Sequence, residues 1–110
     1  MPHPKISIRA LQAFIAVYEE QSFSRAADRE NATQSGMSTQ VKNLELALGT
    51  PLLDRGKGSL RLTAAGRAVY ADGQRVLKDL FALEEKVAAL AGAVTGRIRL
   101  GIIPGLTRAV

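Results

Sequence analysis

TQSGMSTQVKNLE (residues 33–45) has the periodicity of a helix and two unlike faces. Met37, Val41 and Leu44 recur three to four residues apart and make one side apolar, while Gln34, Ser35, Ser38, Thr39 and Lys42 occupy the other. So small, polar and slightly basic a face suits close approach to a grooved, anionic surface. Taken alone it suits bulk water equally well, and its neighbours have to separate the two readings.

Upstream, Ile8, Leu11, Phe14, Ile15 and Tyr18 step through a first amphipathic helix over residues 8–21. Ser22 is positioned as the N-cap of a short second helix, whose Phe23, Ala26 and Ala27 form a narrow inner stripe. ENAT (30–33) reads as a tight turn, and Thr33 caps a third helix that buries Met37, Val41, Leu44 and Leu48 before Gly49 and Pro51 end it. Three short helices with a brief turn between the last two form a helix-turn-helix pattern.

Downstream, LLDRGKGSLRLT (52–63) places paired leucines before a Gly-Lys-Gly tip and an alternating Leu60-Arg61-Leu62-Thr63 after it, the pattern of a small β-hairpin, or wing. A long helix is predicted from Ala64 to about Ala91, interrupted internally by Gly66 and Gly73. Its Val69, Val76, Leu80, Leu83, Val87, Leu90 and Val94 follow steps of three and four, a heptad seam. Leu77 and Phe81 widen that face, and homodimerisation as a coiled coil is the simplest way to cover it. After Gly96, RIRLGIIPGL reads as the first strand of another sheet. The fold class expected is mainly α: a winged helix-turn-helix over 1–63, a linker and dimerisation helix over 64–92, and a hinge plus the opening of a truncated domain over 93–110.

Composition narrows the function. There is no cysteine, and His3 is the only histidine, so neither a disulfide framework nor a zinc site is expected. No signal peptide or membrane-length apolar run is present, which makes a cytoplasmic protein the expectation and leaves the membrane out as a partner. GKGS (56–59) lacks the strand–GxxxxGK[ST]–helix context of a phosphate loop. No nucleophile triad, cofactor motif or convergent acid pair appears; Glu19-Glu20 and Glu84-Glu85 are neighbours that point different ways and are expected to be solvated. An enzyme is not expected. Net charge is +5, yet residues 1–63 hold only 8 Lys/Arg against 6 Asp/Glu. Binding to an anion must therefore rest on local placement rather than on bulk charge.

Double-stranded DNA is the partner that this placement fits. Gln34 has the amide needed to read adenine, Ser38 and Thr39 reach bases or phosphates, and Lys42 supplies charge toward guanine or the backbone. Arg55, Lys57 and Arg61 on or beside the hairpin can meet a flanking backbone or minor groove. The alternative is an interaction module whose long helix pairs with full-length relatives and which binds little DNA itself.

Read in order, FIAVYEEQSFSRAA, TQSGMSTQVKNLE, LGTPLLDR and LRLTAAG resemble the N-terminal DNA-binding part of LysR-type transcriptional regulators over residues 6–92. RIRLGIIP (97–104) is similar to the opening strand of that family's effector-binding domain. The resemblance implies a dimer, with higher oligomers open to a full-length chain, on promoter sites of imperfect dyad symmetry. It suggests Gln34, Ser38 and Lys42 in the groove, Thr33 and Ser35 near the backbone, and Arg55 at the wing. A small-molecule effector is implied only where the effector domain is present, and that domain is expected to be absent from a chain ending at Val110. Four positions depart from the family pattern: Ser35 stands where proline is frequent, Thr39 where arginine is, Gly58 at a wing position often basic, and Glu30 where leucine ends the inner stripe. Glu30 is expected to turn outward or pair with a base.

Overall fold

The computed structural model describes residues 2–56 and 58–95, the side chains of 93–95 excepted. Lys57, the Val94 side chain and the strand expected over 97–104 lie outside the described residues. The elements are α1 (Ile8–Glu20), α2 (Phe23–Arg29), α3 (Gln34–Leu48), β1 (Leu53–Asp54), β2 (Arg61–Leu62) and α4 (Ala64–Thr95). They form a winged helix-turn-helix followed by a long helix.

Local chemistry explains most of the boundaries. Ser7 begins α1 by accepting from the Ala10 N–H at 3.0 Å, and Ser22 does the same for α2 from Arg25 at 3.1 Å. Each satisfies a donor that the first helical turn leaves without a carbonyl. At the far end of α3, Gly49 takes a left-handed conformation (φ 73°), and its N–H reaches the Glu45 carbonyl at 2.8 Å. Glycine adopts that geometry without the clash that a Cβ would bring.

Met1–Leu77 and Lys78–Val110 are two compact units. In the first, Leu11, Phe14 and Val17 of α1 meet Ala26 and Ala27 of α2, Val41 and Leu44 of α3, and Leu52 ahead of the wing. Full burial of a side chain such as Phe14 or Leu44 contributes about 1.5–3 kcal/mol. The hairpin is minimal: Leu53 pairs with Leu62 and Asp54 with Arg61, antiparallel.

Four expectations need correction. Leu48 is 40 % exposed rather than buried, because it falls on the last turn of α3, where it borders an open apolar groove with Ile8, Val69 and Val76. Leu77, assigned to the open stripe, is buried in the core of the first unit. The long helix ends at Thr95 rather than near Ala91, and it runs unbroken through Gly66 and Gly73. Those glycines are contact points: a Cβ on Gly66 would lie 2.1 Å from the Leu52 carbonyl oxygen, and one on Gly73 would lie 2.7 Å from Leu11 Cδ1.

Candidate nucleic-acid interface

The turn before α3 is built from backbone bonds. Ala32 donates to the Ala27 carbonyl at 2.8 Å, Glu30 donates to Ala26 at 2.9 Å, and Asn31 takes a positive φ of 54° that reverses the chain. Asparagine tolerates that conformation better than most residues with a Cβ. Thr33 then starts α3, its Oγ1 accepting from the Gly36 N–H at 2.9 Å. Gly36 is what lets the cap close, since a Cβ there would sit 2.9 Å from the same hydroxyl oxygen.

Met37, Val41 and Leu44 hold α3 against the core, so its opposite side is turned to solvent. Thr33, Gln34, Ser35, Thr39 and Lys42 are exposed and Ser38 is half-buried. Among the described residues, no element covers that outward side. Its charge is also sorted. Glu45, the single acid on α3, turns away and accepts from the backbone N–H groups of Leu52 and Leu53 at 2.8 and 3.3 Å. That carboxylate therefore fixes the entry to β1 instead of opposing Lys42 on the open face.

The wing is tied to the helices at three more points. Thr63 donates its hydroxyl to the Pro51 carbonyl at 2.7 Å and accepts from Gly66 at 2.9 Å. The Gln21 amide spans to both backbone groups of Leu60, at 2.9 and 3.0 Å. Arg55 stacks over Phe23, its guanidinium carbon 4.8 Å from the ring centroid. That stacking fixes the plane of the cation and leaves its N–H edges free to donate. Among the described residues, Lys42, Arg55 and Arg61 have no acidic partner.

An ionic cluster joins α1 and α2. Arg29 meets Glu19 at 2.9 Å, Glu20 at 3.3 Å and Glu30 at 3.4 Å. Tyr70 of α4 donates its hydroxyl to Glu19 at 2.7 Å. The Tyr70 hydroxyl, followed by Arg29, holds the Glu19 carboxyl below its usual range despite some burial, and the same bond pushes the Tyr70 phenol up. Glu19 and Glu20 are thus joined to α2 rather than simply solvated. Glu30 is exposed and pairs with Arg29, as its place at the end of the α2 stripe led us to expect. It borders a cleft of about 370 Å³ beside the turn.

On α4, the seam assigned to dimerisation divides. Val69 packs partly against the core of the first unit. Val76 is 48 % exposed, Leu80 is half-buried, and Leu83, Val87 and Leu90 are 54–60 % exposed. Sequence reasoning missed the bonds of Gln21 and Glu45 to the hairpin, the Phe23–Arg55 stack, and the ion pairs of Arg29 that join α1 to α2.

Residues 8–67 match the family model described as bacterial regulatory helix-turn-helix protein, lysR family. The chain is 41 % identical over 96 residues to the HTH-type transcriptional regulator ShiR of Corynebacterium glutamicum (strain R), covering 87 % of this chain and 32 % of that one. It is 37 % identical over 97 residues to the HTH-type transcriptional regulator BudR of Klebsiella aerogenes, covering 88 % and 68 %. The chain spans about a third of the length of most curated relatives it matches. Its fold is similar to that in the crystal structure of the BenM_DBD/catB site 1 DNA complex, with TM-score 0.75, 34 % identity, and coverage of 79 % of this chain and 98 % of that one. The CbnR_DBD–DNA complex matches with TM-score 0.71, 34 % identity, and coverage of 79 % and 100 %.

Proposed function

Because the chain belongs to the lysR family of bacterial regulatory helix-turn-helix proteins, we propose that it binds double-stranded DNA sequence-specifically as a homodimer and regulates transcription. The carrying observation is the open outer side of α3, capped by Thr33, free of acidic side chains and flanked by the wing. A helix N-terminus with exposed amide and hydroxyl groups suits entry into a major groove, where Gln34 reads a base edge and Ser38, Thr39 and Lys42 add bases or phosphates. Thr33 and Ser35 lie nearest the backbone. Arg55, Lys57 and Arg61 serve the flanking backbone or minor groove.

Val76, Leu80, Leu83, Val87 and Leu90 of α4 supply the dimer seam, with Val69 at its inner end. Residues 1–63 act as the DNA-binding domain and 64–92 as the linker helix. This role is that of a binder and not of an enzyme. The site of action proposed for this role is the cytoplasm; no described helix is long and apolar enough to cross a membrane.

Selection of bound sequences from a random duplex library, followed by anisotropy titration at several salt concentrations, tests the proposal. Gln34→Ala should lose about 1–3 kcal/mol on the selected duplex and almost nothing on random duplex. Equal losses on both would remove Gln34 from base readout, and salt-independent binding by the parent would overturn the function.

A further inference from the structure

Gln21 follows α1 with φ 57° and ψ 29°, a left-handed conformation that a side chain with a Cβ disfavours. Sequence alone gives no reason for glutamine at such a point. Its amide supplies one. Nε2 donates to the Leu60 carbonyl at 2.9 Å and to the Tyr18 carbonyl at 2.9 Å, and Oε1 accepts from the Leu60 N–H at 3.0 Å.

The amide thus pairs with Leu60 as a neighbouring strand would, using donor and acceptor together, across 39 residues of sequence. Leu60 directly precedes β2, whose Arg61 is a wing cation. On the opposite arm of the hairpin, Arg55 rests on Phe23, two residues after Gln21. The α1–α2 corner therefore grips both arms of a hairpin that holds only two residue pairs of its own. A ladder that short is marginal in water and takes its position from what it is tied to.

We propose that Gln21 is a positioning residue for DNA binding: it sets the posture of the wing, so that Arg55 and Arg61 meet the duplex while α3 occupies the groove. The inference rests on the DNA-binding function proposed above and adds to it a residue that touches no nucleic acid. The retained left-handed backbone fits this role, because strained conformations persist where surrounding bonds over-determine them.

Gln21→Gly and Gln21→Asn test the clasp. Both residues accept a positive φ, and neither side chain spans to Leu60. The thermal midpoint should stay near that of the parent in each, and the Leu60 amide should exchange with solvent faster by NMR. Affinity for selected and random duplex alike should fall about tenfold, and the salt slope by about one. In an Arg55→Ala/Arg61→Ala background the same substitutions should cost nothing further, since residues acting through one element are not additive.

Parental affinity and slope in both variants would overturn the clasp and leave the function standing, as would unchanged Leu60 exchange. An undiminished loss in the doubly substituted background would show that Gln21 does not act through the wing cations. Salt-independent binding by the parent is a different failure: it removes the function, while Leu60 exchange still decides whether the hairpin is held.

Discussion

Residues 8–77 and residues 78–92 carry apolar side chains at comparable helical spacing, yet the buried core is drawn from the first stretch. In the first stretch Leu11, Phe14, Val41, Leu44 and Leu77 belong to a buried core, while Ile8, Leu46, Leu48 and Val76 stay partly open. In the second, Phe81, Leu83, Val87 and Leu90 each leave half or more of their surface open. A helix of that length is only marginally stable alone in water, and its apolar stripe gains nothing until something covers it. The first region thus has a core of its own within one chain, whereas the second, under the proposed dimer, would draw its stability from concentration. The proposed function follows the same division: the part with its own core would present α3 to DNA, and the open part would set how many such faces arrive together.

Charge on the open stripe is expected to have the largest effect. Leu83→Glu should give a monomer by sedimentation, and with it a loss of about 100-fold in affinity for a two-half-site duplex, because the second half-site is no longer bound intramolecularly. The melting transition of the parent should rise with protein concentration and that of the variant should not. A parental midpoint indifferent to concentration would mean that the second region is stable without a partner, and the contrast would fail.

A smaller effect is expected inside the self-contained region. Gly66→Ala forces a methyl group to within 2.1 Å of the Leu52 carbonyl oxygen, which also accepts from Thr63 at 3.0 Å across the base of the wing. Backbone cannot yield as a side-chain tip does, so a loss of about 1–3 kcal/mol is expected from the urea midpoint at unchanged slope. The oligomeric state should not move. An alanine variant as stable as the parent would show that α4 is less closely seated on the wing than the first region requires.

Both substitutions touch features that sequence could and could not convey. Ser22, Thr33 and Gly49 are legible because caps act within three or four residues of themselves, and the alternation of 52–63 is likewise local. Periodicity finds the apolar face of a helix but not what covers it, so Leu48 and Leu77 were assigned to the wrong sides. Gly66 and Gly73 read as interruptions because their partners, Leu52 and Leu11, lie 14 and 62 residues away. Distance in sequence also hid Gln21 with Leu60 and Glu45 with Leu52. The polar outer face of α3 was legible from its residue types. The bonds that hold it and the wing in register were not, since any glutamine or glutamate on a helix looks like a solvated one.

The smallest expected effect refines the first region's claim to be self-contained, through the cluster joining α1, α2 and α4. Tyr70, and after it Arg29, holds the Glu19 carboxyl below its ordinary range, so the stabilisation is present above about pH 4.3 and is lost as pH falls through the depressed folded value. The Tyr70 phenol is pushed up by Glu19, so its share is present below about pH 10 and is lost as pH rises through the raised value. Tyr70→Phe removes the hydroxyl and keeps the ring that meets Tyr18 edge-on at 5.0 Å. The parent should exceed this variant by less than about 1 kcal/mol, since the cluster is partly exposed, with the difference level between pH 5 and 9 and shrinking at both ends. A difference that instead persists unchanged at pH 3 would place the hydroxyl's contribution in packing rather than in charge, and α4 would be held to the helix-turn-helix by shape alone.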